Sequence, residues 1–171
     1  MLFRSGLVAG LLHPLNGADH LLMLILLGAA SASLSPRLLL WGLGGGVVGA
    51  VIGCLGGGLP AAEPLAALAV AAVALLLVRR QRTGQAPALE LCGALIAGAM
   101  ALHALLHAQE VPDQTSASLW WMGVCFASGV VSLGSFALWQ RLCGPWPQRV
   151  SWAFALTSGW LMMSSSGLMS R

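Results

Sequence analysis

Long apolar runs alternate along the chain with short polar breaks. A membrane-spanning helix needs about 20 mostly apolar residues, and six runs approach that length. They cover residues 6–30, 38–59, 62–79, 87–108, 119–142 and 150–168. The third is the shortest and draws on Pro60–Glu63 to reach the interface. The breaks carry turn residues and charge: Ser35-Pro36-Arg37, Arg79–Gly84, Pro112-Asp113 and Gly144–Pro147. The pattern predicts an all-α polytopic membrane protein, with six transmembrane helices in a compact bundle and one domain over residues 1–171. Arg4, the first apolar run and Ala30-Ser31-Ala32 also mimic a secretory signal. Two histidines, an aspartate, an asparagine and a proline interrupt that run, which favours a spanning helix.

Two of the runs are interrupted by polar groups in a way the others are not. The first contains His13-Pro14-Leu15-Asn16-Gly17-Ala18-Asp19-His20, and the fourth ends in His103-Ala104-Leu105-Leu106-His107-Ala108-Gln109-Glu110. All four histidines of the chain lie in these stretches. Burying such groups in hydrocarbon costs several kcal/mol unless they find partners, so both stretches are candidate functional sites. His103 and His107 fall one turn apart on a single helix face, with Glu110 a turn further on. His13, Asn16 and His20 also share a face. Asp19 points about 100° away from His20 on a regular helix, but Pro14 and Gly17 make a kink there, which could swing Asp19 toward the site.

Composition supports the bilayer. The chain is 58% hydrophobic and 8% charged, against about 25% charged in soluble domains. The net charge of +3 contains no lysine, and the arginines are scattered. A nucleic-acid binder would cluster them on one face, so nucleic acid is excluded as a partner. Six arginines (Arg37, Arg79, Arg80, Arg82, Arg141 and Arg149) fall on one side of a six-span layout, and Arg4 and Arg171 on the other. The positive-inside rule then places both termini outside the cytoplasm and the histidine stretches toward the outer half of a bacterial cytoplasmic membrane. Trp41, Trp139, Trp146 and Trp152 read as anchors at the inner interface, and Trp120 and Trp121 at the outer one. Cys54, Cys92, Cys125 and Cys143 stand singly in or beside apolar runs and read as small buried hydrophobes. The second run carries Gly45, Gly49, Gly53 and Gly57 at four-residue spacing. This is a ridge for close helix packing, against another helix of the chain or a second copy in a homo-oligomer.

Several chemistries lack their residues. No phosphate-binding loop is present and there is no lysine to build one, so no nucleotide is hydrolysed. His103…His107 lacks the glutamate of a zinc-protease helix, and Gly134-Ser135 lacks a nucleophile-elbow context. The chain reads as a carrier or binder, not an enzyme. Imidazole and carboxylate in this number suit a borderline divalent ion such as Ni²⁺, Co²⁺, Cu²⁺ or Zn²⁺. Glu90 falls at a helix start, where a carboxylate also suits the positive dipole end. Glu63 lies on the same side as the histidines and is, with Asn16, a secondary candidate ligand. Haem held between histidines on facing helices is the alternative, as is a membrane metal-binding accessory protein that does not transport.

His13–His20, with Leu21-Leu22-Met23 and Gly28 beyond, resembles the H-P-x-x-G-x-D-H signature of the HupE/UreJ family of nickel and cobalt permeases. His103–Glu110 resembles that family's H-G-x-x-H-G-x-E, with alanine at both glycine positions, Ala104 and Ala108. Leu59–Glu63 is similar to its L-P-x-x-E. The family's serine after that glutamate is missing, with Ala69 nearby. The resemblance implies uptake of a transition-metal ion, nickel or cobalt first, by a carrier without its own ATPase. The implied metal residues are His13, Asp19, His20, His103, His107 and Glu110. Neutral imidazoles would bind the ion and the carboxylates offset its charge. A potential negative inside would draw a divalent cation inward by about 4.6 kcal/mol per 100 mV.

Overall fold

A computed structural model describes residues 2–85, 87–111 and 116–142. These residues form six helices and no strand. In chain order they are α1 (Leu2–Asn16), α2 (Ala18–Ser33), α3 (Arg37–Cys54), α4 (Ala62–Thr83), α5 (Leu89–His107) and α6 (Ala117–Leu142), with one 3₁₀ turn at Ala108–Glu110. The expected span over 150–168, Arg149, Cys143 and the Trp146 and Trp152 anchors lie outside the described residues.

The first expected span is two helices. Gly6–Asn16 and Ala18–Ser33 meet at an angle of 78°. The break is at Gly17, whose backbone is extended (φ −96°, ψ 123°). Pro14 lies inside α1 and is buried there. The α-helical ladder restarts with the Leu21 amide donating to the Gly17 carbonyl at 3.1 Å. The other expected spans that fall within the described residues each lie on a helix, with altered ends. α3, α5 and α6 are each long and apolar enough to cross a membrane, and α1 with α2 would make a fourth if the bent pair is taken as one span. α4 has 22 residues, or roughly 33 Å of helix. α3 stops at Cys54, short of the expected Leu59. Gly56 adopts φ +82°, and the Gly57 amide donates to the Ile52 carbonyl at 2.9 Å. That left-handed residue closes the helix, and glycine takes it without a Cβ penalty.

Two sets of close contacts assemble the bundle. α1 and α2 both lie on α6, while α3 and α4 flank α5. Small residues set each approach. Gly28 on α2 faces the Ser132 carbonyl and the Phe136 amide of α6, and Ser135 Oγ donates to the Ile25 carbonyl at 2.9 Å. Gly45 and Gly49 on α3 lie against the backbone of Ala97 and Ala101 on α5, and Gly53 lies against Leu105 and Ala108. Without a hydrophobic drive between helices in lipid, such contacts carry the packing. The glycine ridge from Gly45 to Gly53 is therefore filled within the chain by α5 and the turn that follows it. Gly57 sits beyond α3 and takes no part.

The core is apolar and gathers four helices. Leu26, Leu27, Leu38, Val73, Leu77 and Ile96 belong to one buried cluster. At the same end of the bundle, an Arg80 guanidinium nitrogen donates to the Ser33 carbonyl at the end of α2. Arg37 begins α3, and Arg79, Arg80 and Arg82 end α4. These four arginines thus lie at the end away from Glu110. Two other expectations change. Trp120 is 2% exposed and is an interior residue instead of an interfacial anchor, because α1 crosses over it at Gly10. Cys92 is buried, but Cys54 and Cys125 are exposed. Cys54 Sγ nevertheless accepts from the Trp121 indole Nε1 of α6 at 3.1 Å.

Candidate metal site

The break at Gly17 determines the site. A straight helix would carry Asp19 away from His20. The turn into α2 instead puts Asp19 in the first helical turn, where a carboxylate suits the positive helix end. Its Oδ1 lies 3.2 Å from His20 Nδ1, and its Oδ2 lies 3.8 Å from His103 Nε2. α1 delivers His13 from the other side of the bend. On α5, His103 and His107 are one turn apart, with ring centroids at 4.5 Å. The 3₁₀ turn after His107 folds Glu110 back, so that its Oε2 is 2.7 Å from His107 Nδ1 and 3.7 Å from His13 Nε2.

The four imidazoles converge. His20 lies with its ring centroid 4.8 Å from His13, 4.3 Å from His103 and 4.1 Å from His107. His13 and His107 are 5.0 Å apart. Nitrogen and oxygen donors of Asp19, His20, His103 and His107 all lie within 4.8 Å of one another, as do those of His13, His107 and Glu110. His107 belongs to both groups. An ion with ligands at about 2.0–2.1 Å would hold opposite donors about 4.2 Å apart. Each of the two donor groups is therefore spaced on the scale of a single metal ion, and His107 joins them.

Burial grades across the site. The imidazole side chains are 10–20% exposed, whereas Asp19 and Glu110 are 46% and 53% exposed. The carboxylates form the lip and the imidazoles the interior. The Nε2 atoms of His13, His20 and His103 are buried with no hydrogen-bond partner. Each such atom costs about 1–3 kcal/mol when left unsatisfied. The protein thus carries several orphaned acceptors or donors, all within one cluster, and a bound cation would satisfy them. The histidines also wall a cavity of about 200 Å³ between α2, α3, α5 and α6.

All six sequence-predicted ligands meet here. Asn16 is exposed at the end of α1 and joins neither donor group, because the chain turns away immediately after it. The Glu63 side chain lies outside the described residues. Glu90 falls in the first turn of α5, as its spacing suggested. Trp120 was not visible as a site residue in the sequence. Its ring lies 4.8 Å from His13 at 55° and backs that imidazole. Only the crossing of α1 over α6 reveals it, since nothing distinguishes Trp120 from Trp121 in the sequence. Alanine at 108, where the related signature has glycine, is accommodated by Gly53, whose missing side chain leaves room for the Ala108 methyl.

No curated protein and no solved structure matches the chain. A family model described as HupE / UreJ protein matches residues 2–168. HupE/UreJ proteins are membrane transporters associated with nickel and cobalt uptake, and are not enzymes. With nearly the whole chain matched and the histidine–carboxylate cluster at its broken first span, this protein belongs to the HupE/UreJ family.

Proposed function

We propose that the protein carries a divalent transition-metal ion, nickel first and cobalt next, inward across the bacterial cytoplasmic membrane. His13, Asp19, His20, His103, His107 and Glu110 hold the ion as it crosses. The observation that carries this reading is the set of three buried, unpartnered imidazole nitrogens facing two carboxylates. Asp19 and Glu110, at the exposed lip, attract the hydrated cation and offset its charge. The imidazoles then replace its water. Arg37, Arg79, Arg80 and Arg82, which would repel a cation, stand at the far end, and the positive-inside rule puts that end in the cytoplasm. Entry is therefore from outside, with both termini on that side, and the membrane potential pulls the ion inward. No nucleotide is involved.

Crowding argues against haem. Four imidazole centroids within 4.1–5.0 Å of their neighbours leave no slot for a macrocycle between facing rings. Transport is tested in proteoliposomes loaded with a metal-responsive dye and offered Ni²⁺, Co²⁺, Cu²⁺, Zn²⁺ or Mn²⁺. Ni²⁺ or Co²⁺ should enter, and His13→Ala and His107→Ala should abolish entry. Equal flux in parent and variants would show that the site lies elsewhere. Binding without flux would identify an accessory protein instead of a carrier.

A further inference from the structure

Below the histidines the same cavity changes its chemistry. Met23 follows His20 by three residues on α2, and Met100 precedes His103 by three on α5. The two helices run in opposite directions through the bundle. Each methionine therefore sits one turn beyond its histidine toward the arginine-bearing end. Met23 and Met100 are 8% and 9% exposed and pack in one cluster with Leu24 and Ala99. Cys125, a free thiol on α6, lines the cavity with them. The unpartnered Nε2 of His20, a residue only 8% exposed, belongs to the same cavity wall. Methionine often serves merely to fill irregular gaps in a core. Here, two thioethers and a thiol from three helices line a cavity whose other end is built of four imidazoles. Gap-filling needs neither the thiol nor this convergence on one space.

We propose that Met23, Met100 and Cys125 form a sulfur-donor transit site for a thiophilic transition-metal ion, one turn inward of the histidine cluster. The proposal rests on the carrier reading and specifies the ion's next ligands. Soft thioether and thiolate donors suit copper and zinc best, accept borderline ions such as nickel and cobalt, and offer little to magnesium, calcium or manganese. A hard ion leaving the imidazoles would gain nothing here, so the site filters as well as conducts. The ion keeps its oxidation state. It gives up imidazole nitrogens, the Cys125 thiolate becomes a ligand, and the thiol proton passes to an imidazole that the ion has vacated.

Cd²⁺ is a suitable probe because its thiolate complexes absorb in the ultraviolet. The full-length protein carrying Cys54→Ser, Cys92→Ser and Cys143→Ser retains Cys125 as its sole thiol. Titrated with Cd²⁺ in detergent micelles, it should develop a thiolate-to-metal charge-transfer band, which a further Cys125→Ser change removes. Met23→Leu with Met100→Leu is nearly volume-conserving, and should slow Cd²⁺ uptake into proteoliposomes about tenfold or more, an effect of the size seen when metal-tuning groups are lost. Cys125→Ser alone in the otherwise parental chain should slow it similarly, and this single change covers the case in which the double variant misfolds. No band in the sole-thiol protein, a band that survives Cys125→Ser, or parental uptake in Cys125→Ser overturns the proposal. His20→Ala separates the two readings. If it abolishes Cd²⁺ binding while the sulfur variants behave like the parent, the transit site is wrong and the histidine cluster stands. If His20→Ala binds Cd²⁺ like the parent, the cluster itself is wrong.

Discussion

Gly17→Ala is a demanding test of the site, because it separates two reasons for a glycine. The Gly17 backbone is extended, at φ −96° and ψ 123°, a conformation open to any L-residue. Alanine therefore brings no backbone strain. What it brings is a methyl group aimed at the ligands. A Cβ at position 17 would lie 2.7 Å from Asp19 Oδ1 and 3.3 Å from His20 Cε1, and closer still to His20 Nδ1. Ordinary contact begins near 3.4 Å, so the Asp19 oxygen must retreat by about 0.7 Å. A site needs its groups held to about 0.5 Å, and disturbing the groups that orient a ligand costs about 10–100-fold in metal affinity. Ni²⁺ affinity of the purified variant, measured by isothermal titration, should fall by that factor. Its thermal unfolding should remain near that of the parent, since Gly17 contacts nothing else so closely. Gly44→Ala is the control, because a Cβ there meets nothing within 4 Å. Parental Ni²⁺ affinity in Gly17→Ala would refute the placement of Asp19 and His20 as ligands. Global unfolding would refute the argument that the glycine serves the site and not the fold.

Other outcomes follow from the packing and the chemistry. Gly49→Ala should lower the unfolding temperature, because the methyl group runs into the Ala101 backbone and overpacking costs about 1–3 kcal/mol; Gly44→Ala on the same helix should match the parent or gain up to about 1 kcal/mol from helix propensity. Ser135→Ala removes the bond to the Ile25 carbonyl and should cost about 0.6 kcal/mol in detergent unfolding, the average for such bonds between membrane helices. Proton and metal compete for the same imidazole nitrogens, so Ni²⁺ affinity should fall as pH is lowered, and an affinity that does not fall on acidification down to unfolding would argue that histidine nitrogens do not ligate the ion.

Much of this site could be read from sequence because polar groups in a membrane helix are too costly to be incidental. Two clusters in otherwise apolar runs identified all six residues that converge, and the i, i+4 spacing of His103 and His107 fixed their common face. The kink near Pro14 and Gly17 was legible as well, since both residues disfavour a regular helix. Its size and place were not. Pro14 and Gly17 together marked the kink; α1 absorbs Pro14, and the chain breaks at Gly17 with a 78° turn. Tertiary packing of Gly10 on the Trp120 backbone fixes α1 in that direction, and no local pattern encodes that contact. The same contact hid Trp120, which as an apolar residue near a helix end looked like an interfacial anchor. The glycine ridge of α3 specified close packing without specifying the neighbour. Only the fold shows α5 filling it. Cys54 and Cys125 were misjudged because hydrophobic surroundings in sequence do not separate a lipid-facing or cavity-facing position from a core one.

In the proposed reading, the histidine cluster is where the ion is held. X-ray absorption at the nickel edge tests it most directly, on purified protein loaded with one equivalent of Ni²⁺. The account predicts nitrogen and oxygen neighbours with the multiple-scattering pattern of several imidazole rings, weakened in His20→Ala and again in His20→Ala with His103→Ala. A nickel spectrum without imidazole scattering, or one unchanged by both substitutions, would contradict it.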